Sequence, residues 1–367
     1  MMWLRLVAWA ASWLVHVWRL LFALPIRHTD RSAQTPPLDR TKSISITSTT
    51  TSTSISSNSI QMIGEVDWIR HGERMDHVVK GWQGTAVLPR TDPPLSPSGL
   101  LQAVETGLCY RKERLRMAEH NTGSIPTFCI WSSPFVRCLQ TATIIAVVGF
   151  DGSIPVNVHV GLGDWKCTRL YPSGPPELLW RRGHLTPALR DLLRSTINDA
   201  IAALESCQPL LRRHNLKPKN LARWRSCREE SSLLIAHSED DVVPLATYPE
   251  STTAFRDRCR RLLTNTGTGS VVISTEKAPS SSVVWELRVT HADVIEKILA
   301  EGLPRVGHKF SGGLSVPYCS ITATVPTAAA PMLHATMSSI PWELKPLGGE
   351  VGRSDHLRTT GVALSFR

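Results

Sequence analysis

The sequence predicts an α/β fold in three layers, with a mainly parallel central sheet between helices. The main observation is a repeated pattern, in which a short apolar run ends abruptly in a polar loop, at residues 64–73, 127–134 and 289–293. Helical spacing follows the second and third loops. Strands that alternate with helices form parallel sheets, and ligand groups gather at the carboxyl ends of such strands.

Residues 1–27 are apolar and rich in tryptophan, but Arg5 and Arg19 interrupt a run that would need about 20 uncharged residues to span a bilayer. On a helix the polar side chains fall within one narrow stripe. This pattern is typical of a helix in a membrane interface, or of a span with one polar seam. A cleaved secretory signal and a segment without a native role are the alternatives. The segment is therefore predicted to be an amphipathic helix and a candidate membrane anchor.

The next segment, residues 28–60, contains a long Ser/Thr tract, "TKSISITSTTTSTSISSNSI". Such a composition cannot bury enough apolar surface to offset the entropy lost on ordering, so a disordered linker is predicted. The folded domain is expected at residues 61–350, followed by a tail at residues 351–367.

The first two strands of the domain end in unusual loops. The first strand is predicted at residues 65–69, and its loop begins at Arg70 within "VDWIRHGERMD". The second is Thr127–Trp131, followed by a turn at residues 132–134 and a helix. Pro134 is predicted to stand early in that helix, where its missing N–H would be unpaired anyway.

The third loop places His291 directly before a helix, within "VTHADVIEKILAEGL". Its strand is ambiguous, because both "GSVVIS" (269–274) and "SVVWELRV" (282–289) are apolar. If the first run is the strand, residues 275–288 form an insertion immediately before His291.

These motifs resemble those of the histidine phosphatase superfamily, and the resemblance implies a phosphoglycerate mutase-like fold. Four blocks follow one another in the order of that family: "RHGER" (70–74), "DPPLSPSGLLQA" (92–103), "SSPFVRCLQTA" (132–142) and "VTHAD" (289–293). The resemblance covers about residues 62–350. It is closest to the branch that contains the ubiquitin-associated and SH3 domain-containing tyrosine phosphatases and the insect ecdysteroid phosphatases. It implies a phosphomonoester hydrolase acting through a phosphohistidine, on protein phosphotyrosine or a small phosphorylated metabolite.

The residue types fit this chemistry. Transfer of a phosphoryl group spreads negative charge over its equatorial oxygens, and arginine forks match that geometry. Arg70, Arg74 and Arg137 are therefore predicted to bind the phosphate. The same cations disfavour protonation of His71, which keeps a lone pair for attack. The resemblance implies that His291 is a second donor to the transferring group. No metal or other cofactor is expected, because the guanidinium groups supply the positive charge.

The leaving oxygen also needs a proton donor. Relatives carry a glutamate in an L-x-E segment at this point, whereas "LGD" stands here, so the resemblance makes Asp164 the predicted donor, shorter by one methylene. The shorter reach and the ambiguous strand before His291 motivate an alternative from another class, a catalytically weak, phosphate-binding scaffold protein. A phosphoglycerate mutase, which returns the phosphoryl group instead of passing it to water, is the second alternative.

The net charge of +10 favours anionic partners, of which a phosphorylated substrate is the expected one. Residues 211–228 carry seven Lys/Arg side chains and no acid, which indicates a solvated insertion or, second, a surface for acidic lipid. No nucleic-acid partner is expected, because aromatic side chains hardly interleave with this run. Eight cysteines without a CxxC pair favour a reducing compartment. The predicted location is cytoplasmic, with membrane association through residues 1–27 as the alternative.

Overall fold

The computed structural model describes residues 62–119, 126–174, 180–181, 184–227, 235–237, 248–264, 283–302, 316–326, 342–345 and 357. The predicted N-terminal helix, the Ser/Thr linker and the candidate strand 269–274 lie outside these residues, and so does the predicted tail except for Leu357. The domain bounds therefore stay predictions. Among the described helices, none is long and apolar enough to cross a bilayer.

Seven of the described strands form one mixed sheet. In chain order the strands are β1 (Met62–Arg70), β2 (Thr127–Ser132), β3 (Val156–Val158), β4 (Trp180–Arg181), β5 (His184–Leu185), β6 (Ile235–His237), β7 (Val283–Thr290), β8 (Ile321–Pro326) and β9 (Trp342–Leu344). The order across the sheet is β6-β3-β2-β7-β1-β8-β9, while β4 and β5 pair separately. The strands from β6 to β1 are parallel, and β8 is antiparallel to both of its neighbours. The predicted mainly parallel sheet is confirmed.

Helices cover both faces of this sheet. The described helices are α1 (Met75–Val78), α2 (Pro97–Glu119), α3 (Val136–Phe150), α4 (Pro187–Ser206), α5 (Gln208–Arg213), α6 (Pro218–Ser226), α7 (Thr252–Thr264) and α8 (Ala292–Gly302). Side chains alternate along β1: Val66 and Trp68 join the core formed with α7 and α8, whereas Ile69 joins the core formed with α2 and α3. The three-layer α/β/α class is therefore confirmed.

Helix α3 is buried along its whole length, which explains why its sequence is apolar on every side. It begins at Val136 with Phe135 as its N-cap, so Pro134 precedes the helix instead of standing in its first turn. That detail of the prediction was wrong. Phe135 has no capping side chain of its own; the Asp92 carboxylate accepts from the Val136 N–H with both oxygens, at 3.1 and 3.0 Å. A negative group at this end of a helix is favoured by the helix dipole.

The ambiguous strand before the second histidine is also resolved. Strand β7 ends at Thr290 and pairs with β1 on one side and β2 on the other. It therefore runs directly to His291, and the reading "SVVWELRV" is the right one of the two alternatives. β7 is a central strand, buried from Val284 onward, and its two charged side chains, Glu286 and Arg288, pair with each other at 2.6 Å.

Candidate active site

Two adjacent parallel strands bring the two predicted catalytic histidines together. Arg70, the last residue of β1, pairs with Thr290, the last residue of β7. The next residue on each strand, His71 and His291, therefore leaves the sheet at the same level. Their ring centroids are 5.3 Å apart, and the residues are 3% and 2% exposed. The carboxyl end of the sheet is thus where the predicted chemistry is assembled.

The His71 ring is held in one tautomer. Its Nδ1 lies 2.7 Å from the Gly72 carbonyl oxygen, which can only accept, so Nδ1 carries the proton and Nε2 has a lone pair. Arg137 Nε donates toward Nε2 at 3.3 Å. Burial lowers the pKa of His71 well below its ordinary value, and the charges of Arg137 and Arg70 act in the same direction. His71 is therefore a neutral imidazole with a free lone pair at neutral pH.

The loop that carries His71 packs tightly on the start of α2. A Cβ at Gly72 would lie 2.5 Å from the Gly99 carbonyl oxygen, so this backbone approach excludes any larger residue. The Glu73 amide donates to Gln102 Oε1 at 2.9 Å, and Glu73 Oε2 accepts from Ser96 Oγ at 2.7 Å. The "RHGER" and "PLSPSGLLQA" motifs therefore pack directly against each other.

Arg137, in the first turn of α3, connects the predicted catalytic groups. It is 1% exposed, with Nη1 donating to Asp92 at 3.2 Å and Nη2 donating to Asp164 at 2.8 Å. Nη2 also lies 3.1 Å from His291 Nδ1. A guanidinium that is paired with two buried carboxylates and adjacent to both histidines places a fixed positive charge where a phosphate would bind.

Asp164 is where the sequence predicted a carboxylate, and it is heavily engaged. Oδ2 accepts from Arg137 Nη2 and, at 2.9 Å, from the Tyr171 hydroxyl, while Oδ1 accepts from the Trp165 amide at 3.0 Å. The same Oδ2 lies 3.5 Å from His291 Nδ1. Asp164 is thus part of the site, but it can take a proton on Oδ2 only if one of these donors moves away.

His291 completes the buried cluster. Its Nδ1 faces Arg137, a donor, and its Nε2 lies 2.9 Å from Ser133 Oγ. This pattern corresponds to a neutral ring with the proton on Nε2. Burial lowers the pKa of His291 well below its ordinary value, and Arg137 and Arg74 add to the effect. Ser133, from the "SSPFVRCLQTA" motif, therefore orients the second histidine.

The two other predicted phosphate ligands lie at the edge of this cluster. Arg70 stacks on the Tyr318 ring at 3.8 Å from its centroid and donates to the Val316 carbonyl. Its Nε is buried without a hydrogen-bond partner among the described residues, which leaves a donor for an anion. The Arg74 side chain turns to Asp76, with Nε 2.9 Å from Oδ1. The structure gathers His71, Asp164 and His291 around Arg137, which contacts all three, and it places Arg70 and Arg74 beside them.

Three buried residues that hold the site were not assigned roles from the sequence. Asp92 was visible as the first residue of a motif, but only the structure shows that it binds Arg137 and the α3 N-terminus. Tyr171 and Arg258 belong to no recognised motif, so no sequence signal pointed to them. Within the described ranges, no group of three or more His, Cys, Asp or Glu side chains could hold a metal ion.

Arg258, on α7, fixes the backbone of the Asp164 loop. Its Nη1 donates to the carbonyls of Gly161 at 2.6 Å and Gly163 at 2.8 Å, and its Nη2 donates to the Asp164 carbonyl at 3.2 Å. Glu250 accepts from Nε and Nη2, both at 2.8 Å. All of these bonds need the planar fork of a guanidinium, which a lysine cannot reproduce.

We expect Arg258→Lys to slow hydrolysis of alkyl phosphates by about tenfold or more, because the carboxylate of Asp164 loses its fixed position. Hydrolysis of p-nitrophenyl phosphate, which needs little proton donation, should fall much less, and inhibition by vanadate should stay within about twofold. Arg260→Lys, which alters an exposed residue of the same helix, is the control. Equal losses on both substrates would mean that Arg258 acts only on overall stability.

A third histidine, His159, is largely buried and is also held in its neutral form. Its Nδ1 accepts from the Gly161 amide at 3.0 Å, and its ring packs edge-on against Trp131. Burial, with Arg288 and Arg258 in support, lowers the pKa of His159 to about 3. Because an unfolded histidine binds a proton below about pH 6.5, the unfolded chain gains protons that the folded chain cannot take.

Stability should therefore fall as the pH drops below about 6.5, because His71, His159 and His291 bind protons in the unfolded chain and not in the folded one. His159→Asn removes one of these groups at a residue that is partly exposed. Between pH 7 and pH 5 the variant should lose about 1–2 kcal/mol less stability than the wild type. Denaturant unfolding at the two pH values measures this difference; identical pH dependence of the two proteins would contradict the buried neutral state of His159.

Comparison with known proteins points to the same family as the motifs. Residues 68–173 match the model of the histidine phosphatase superfamily (branch 1). This segment contains three of the four motifs and the residues from Trp68 to Tyr171 that build most of the site. No curated protein matches the chain.

Several solved structures are similar to the chain at low identity. The ecdysone phosphate phosphatase of Bombix mori, solved with tungstate, is 18% identical, with a TM-score of 0.40 over 80% of this chain and 98% of its own. A mycobacterial glucosyl-3-phosphoglycerate phosphatase complexed with VO3 is 20% identical, with a TM-score of 0.36 over 77% of this chain and 98% of its own. A mutant phosphoserine phosphatase of Entamoeba histolytica, in complex with phosphoserine, is 15% identical, with a TM-score of 0.35 over 77% of this chain and 95% of its own.

These likenesses, with TM-scores of 0.40 and below, assign neither a substrate nor a closer subgroup to this chain. The predicted affinity to the ecdysteroid phosphatase branch stays a prediction. The broader recognition rests on the motifs, on their assembly at one sheet edge and on the matched segment. In residues 68–173, this chain matches the histidine phosphatase superfamily (branch 1).

Proposed function

We propose that the protein hydrolyses phosphomonoesters through a phosphohistidine formed on His71. The superfamily supports phosphatase-type activity; the intermediate and the residue roles are the proposal. The observation that carries it is the His71 tautomer, because the Gly72 carbonyl fixes the proton on Nδ1 and leaves the Nε2 lone pair next to Arg137. A buried neutral imidazole beside a fixed guanidinium is suited to in-line attack on phosphorus.

In the first step His71 Nε2 forms a bond to phosphorus while the bond from phosphorus to the leaving oxygen breaks. Arg137 and Arg70 neutralise charge on the equatorial oxygens. His291 donates toward the same group from Nδ1, which requires that its proton first move there from Nε2. As Arg137 turns to the phosphate, Asp164 Oδ2 loses one of its donors. Oδ2 can then carry a proton, which Asp164 gives to the leaving oxygen.

In the second step water attacks phosphorus, the bond to Nε2 breaks, and Asp164 takes the proton of the water. The His71 lone pair is restored and inorganic phosphate leaves. Protein phosphotyrosine and small phosphorylated metabolites are the substrates we propose, since the site described so far recognises the phosphoryl group and not the remainder of the molecule.

A weakly active phosphate-binding scaffold is the competing function, and one observation favours it: Asp164 is held by Arg137, Tyr171 and the Trp165 amide. The other argument for a scaffold was a possible insertion before His291. It no longer applies, because β7 leads directly to His291. Turnover of p-nitrophenyl phosphate by the full chain separates the two functions. Stimulation by bisphosphoglycerate, with return of the phosphoryl group to an acceptor, would indicate a mutase instead.

We expect Asp164→Asn to slow hydrolysis of alkyl phosphates far more than that of p-nitrophenyl phosphate, by about 10²-fold more. An alkoxide needs a proton in order to leave, whereas p-nitrophenolate is a stable anion near neutral pH. Asp164→Glu restores the length usual in the superfamily and should keep the leaving-group preference of the wild type. Rates that fall equally on both substrates in the asparagine variant would assign the proton transfer to another group.

A further inference from the structure

A strongly basic surface lies on α5 and α6, away from the catalytic cluster. Its exposed cationic side chains, here called the α6 surface, are Arg212, Arg213, Lys217, Lys219, Arg223 and Arg225. Arg213 pairs with Glu105 at 3.7 Å. Residues 208–227 contain no Asp or Glu. Arg223 pairs with Asp151 at 3.4 Å, and Arg225 pairs with Glu205 at 2.7 Å. The other three form no ion pair with any residue that the structure describes, so the α6 surface keeps a net positive charge.

The α6 surface is held rigidly by its buried face. Leu221 and Trp224 belong to the core that α6 shares with α2, α3 and α4, and Trp224 is completely buried. The Trp224 indole N–H donates to Asp151 at 3.3 Å, and Cys227 Sγ donates to the Asp151 carbonyl at 3.1 Å. The charges therefore stand on a fixed face of the domain and not on a loose loop.

The position of this face follows from the chain direction. Asp151 caps the C-terminal end of α3, and α3 starts at the catalytic edge and runs back to the opposite edge, where β3 begins. The α6 surface, packed on Asp151, therefore lies at the end of the domain remote from His71. Since β1 is parallel to β3 and three strands away, the chain enters the domain through Met62 at this same edge, about 14 Å along the sheet.

We propose that the α6 surface binds the anionic headgroups of a lipid bilayer. Residues 1–27, which are separated from Met62 by the Ser/Thr-rich segment, are apolar and rich in tryptophan and are interrupted by arginines. Weak membrane signals become effective in pairs, and a basic patch is the usual second signal. The chain enters the domain at the edge that carries the α6 surface, so a membrane signal in residues 1–27 and the α6 surface can act on one bilayer.

Nucleic acid fits this surface less well. Single strands need exposed aromatic rings for stacking, and the single Trp, Tyr or Phe of residues 208–227 is the buried Trp224. With the α6 surface on a bilayer, the catalytic edge faces away from it. The site then takes phosphorylated substrates from the aqueous phase and not from the lipid.

The test uses the full-length chain and vesicles of phosphatidylcholine with or without phosphatidylserine. Lys217→Glu/Lys219→Glu reverses two charges at the N-terminus of α6, where the helix dipole favours acids, so folding is not threatened. Arg190→Glu/Arg194→Glu makes the same change of charge near the N-terminus of α4, at the other end of the domain. We expect the first variant to bind phosphatidylserine vesicles at least about 20-fold more weakly and the second less than about twofold. Equal weakening in both variants would overturn the proposal, as would no preference for phosphatidylserine.

A second measurement covers the case in which residues 1–27 alone hold the chain on vesicles. Acetylation of exposed lysines, read by mass spectrometry, should show Lys217 and Lys219 protected on phosphatidylserine vesicles. Lys80, exposed near the catalytic edge, should stay reactive. Protection of Lys80 instead, or of none of these lysines, would contradict the proposal. So would protection of Lys217 and Lys219 by duplex or single-stranded nucleic acid but not by the vesicles.

Discussion

Replacement of His71 by alanine is expected to lower kcat for p-nitrophenyl phosphate by at least about 10⁴-fold, because in the proposed mechanism it removes the atom that attacks phosphorus. The ring is buried and donates a single hydrogen bond, to the Gly72 carbonyl, so its loss also leaves a small cavity beside Arg137. We expect the variant to remain folded, with a reduced midpoint of thermal unfolding. The measurement is steady-state turnover together with circular dichroism.

His214→Ala is the matched control, since it makes the same substitution at the end of the domain remote from the site. It should leave kcat unchanged. A His71→Ala variant that keeps activity within a few-fold of the wild type would contradict the proposed mechanism. A variant that is inactive because it is unfolded would show the loss of its circular dichroism spectrum, and His71→Asn, closer in volume, would then replace it in the test.

Arg137→Ala is the second large effect. Arg137 contacts both histidines and Asp164, so its removal should raise the barrier for kcat/KM by about 3 kcal/mol or more, roughly 150-fold. Inhibition by vanadate should weaken in parallel, because we propose that phosphate and vanadate bind the same guanidinium. Normal vanadate binding by the variant would place Arg137 outside the phosphate site.

The same variant should also be less stable. Without the guanidinium, Asp92 and Asp164 are two buried carboxylates that have lost their cation, a change that typically destabilises by about 3–5 kcal/mol. Arg137→Lys keeps a positive charge there and should fold better, but one ammonium cannot contact all the partners of a guanidinium. Its activity should lie between those of the wild type and the alanine variant. Arg111→Ala, which breaks a partly exposed pair with Asp151, is the control for loss of an arginine.

The strand ends and the residues on them could be predicted because local pattern and chemistry coincide there. His71 and His291 each follow directly on a strand that is buried on both sides, and parallel pairing of β1 with β7 then brings them together without further information. The two readings of the β7 strand could not be separated by composition. The pairing of Val283–Thr290 with strands on both sides distinguishes them.

The supporting residues could not be predicted, because their partners are far away in the sequence. Arg258 binds the carbonyls of Gly161 and Gly163, which carry no side-chain signal, and Tyr171 reaches Asp164 from a loop without regular structure. Asp92 replaces the missing N-cap of α3 from a distant segment. Such contacts depend on the assembled fold and not on local sequence.

The central claim is that the phosphoryl group passes through His71 Nε2. Rapid quenching of the full chain during turnover of radiolabelled p-nitrophenyl phosphate tests it most directly. We predict a protein-bound label that is stable in alkali and labile in acid, that maps to the peptide containing His71, and that is absent from His71→Ala but present in His214→Ala. Turnover without such a label, or a label on another residue in the wild type, would contradict the account.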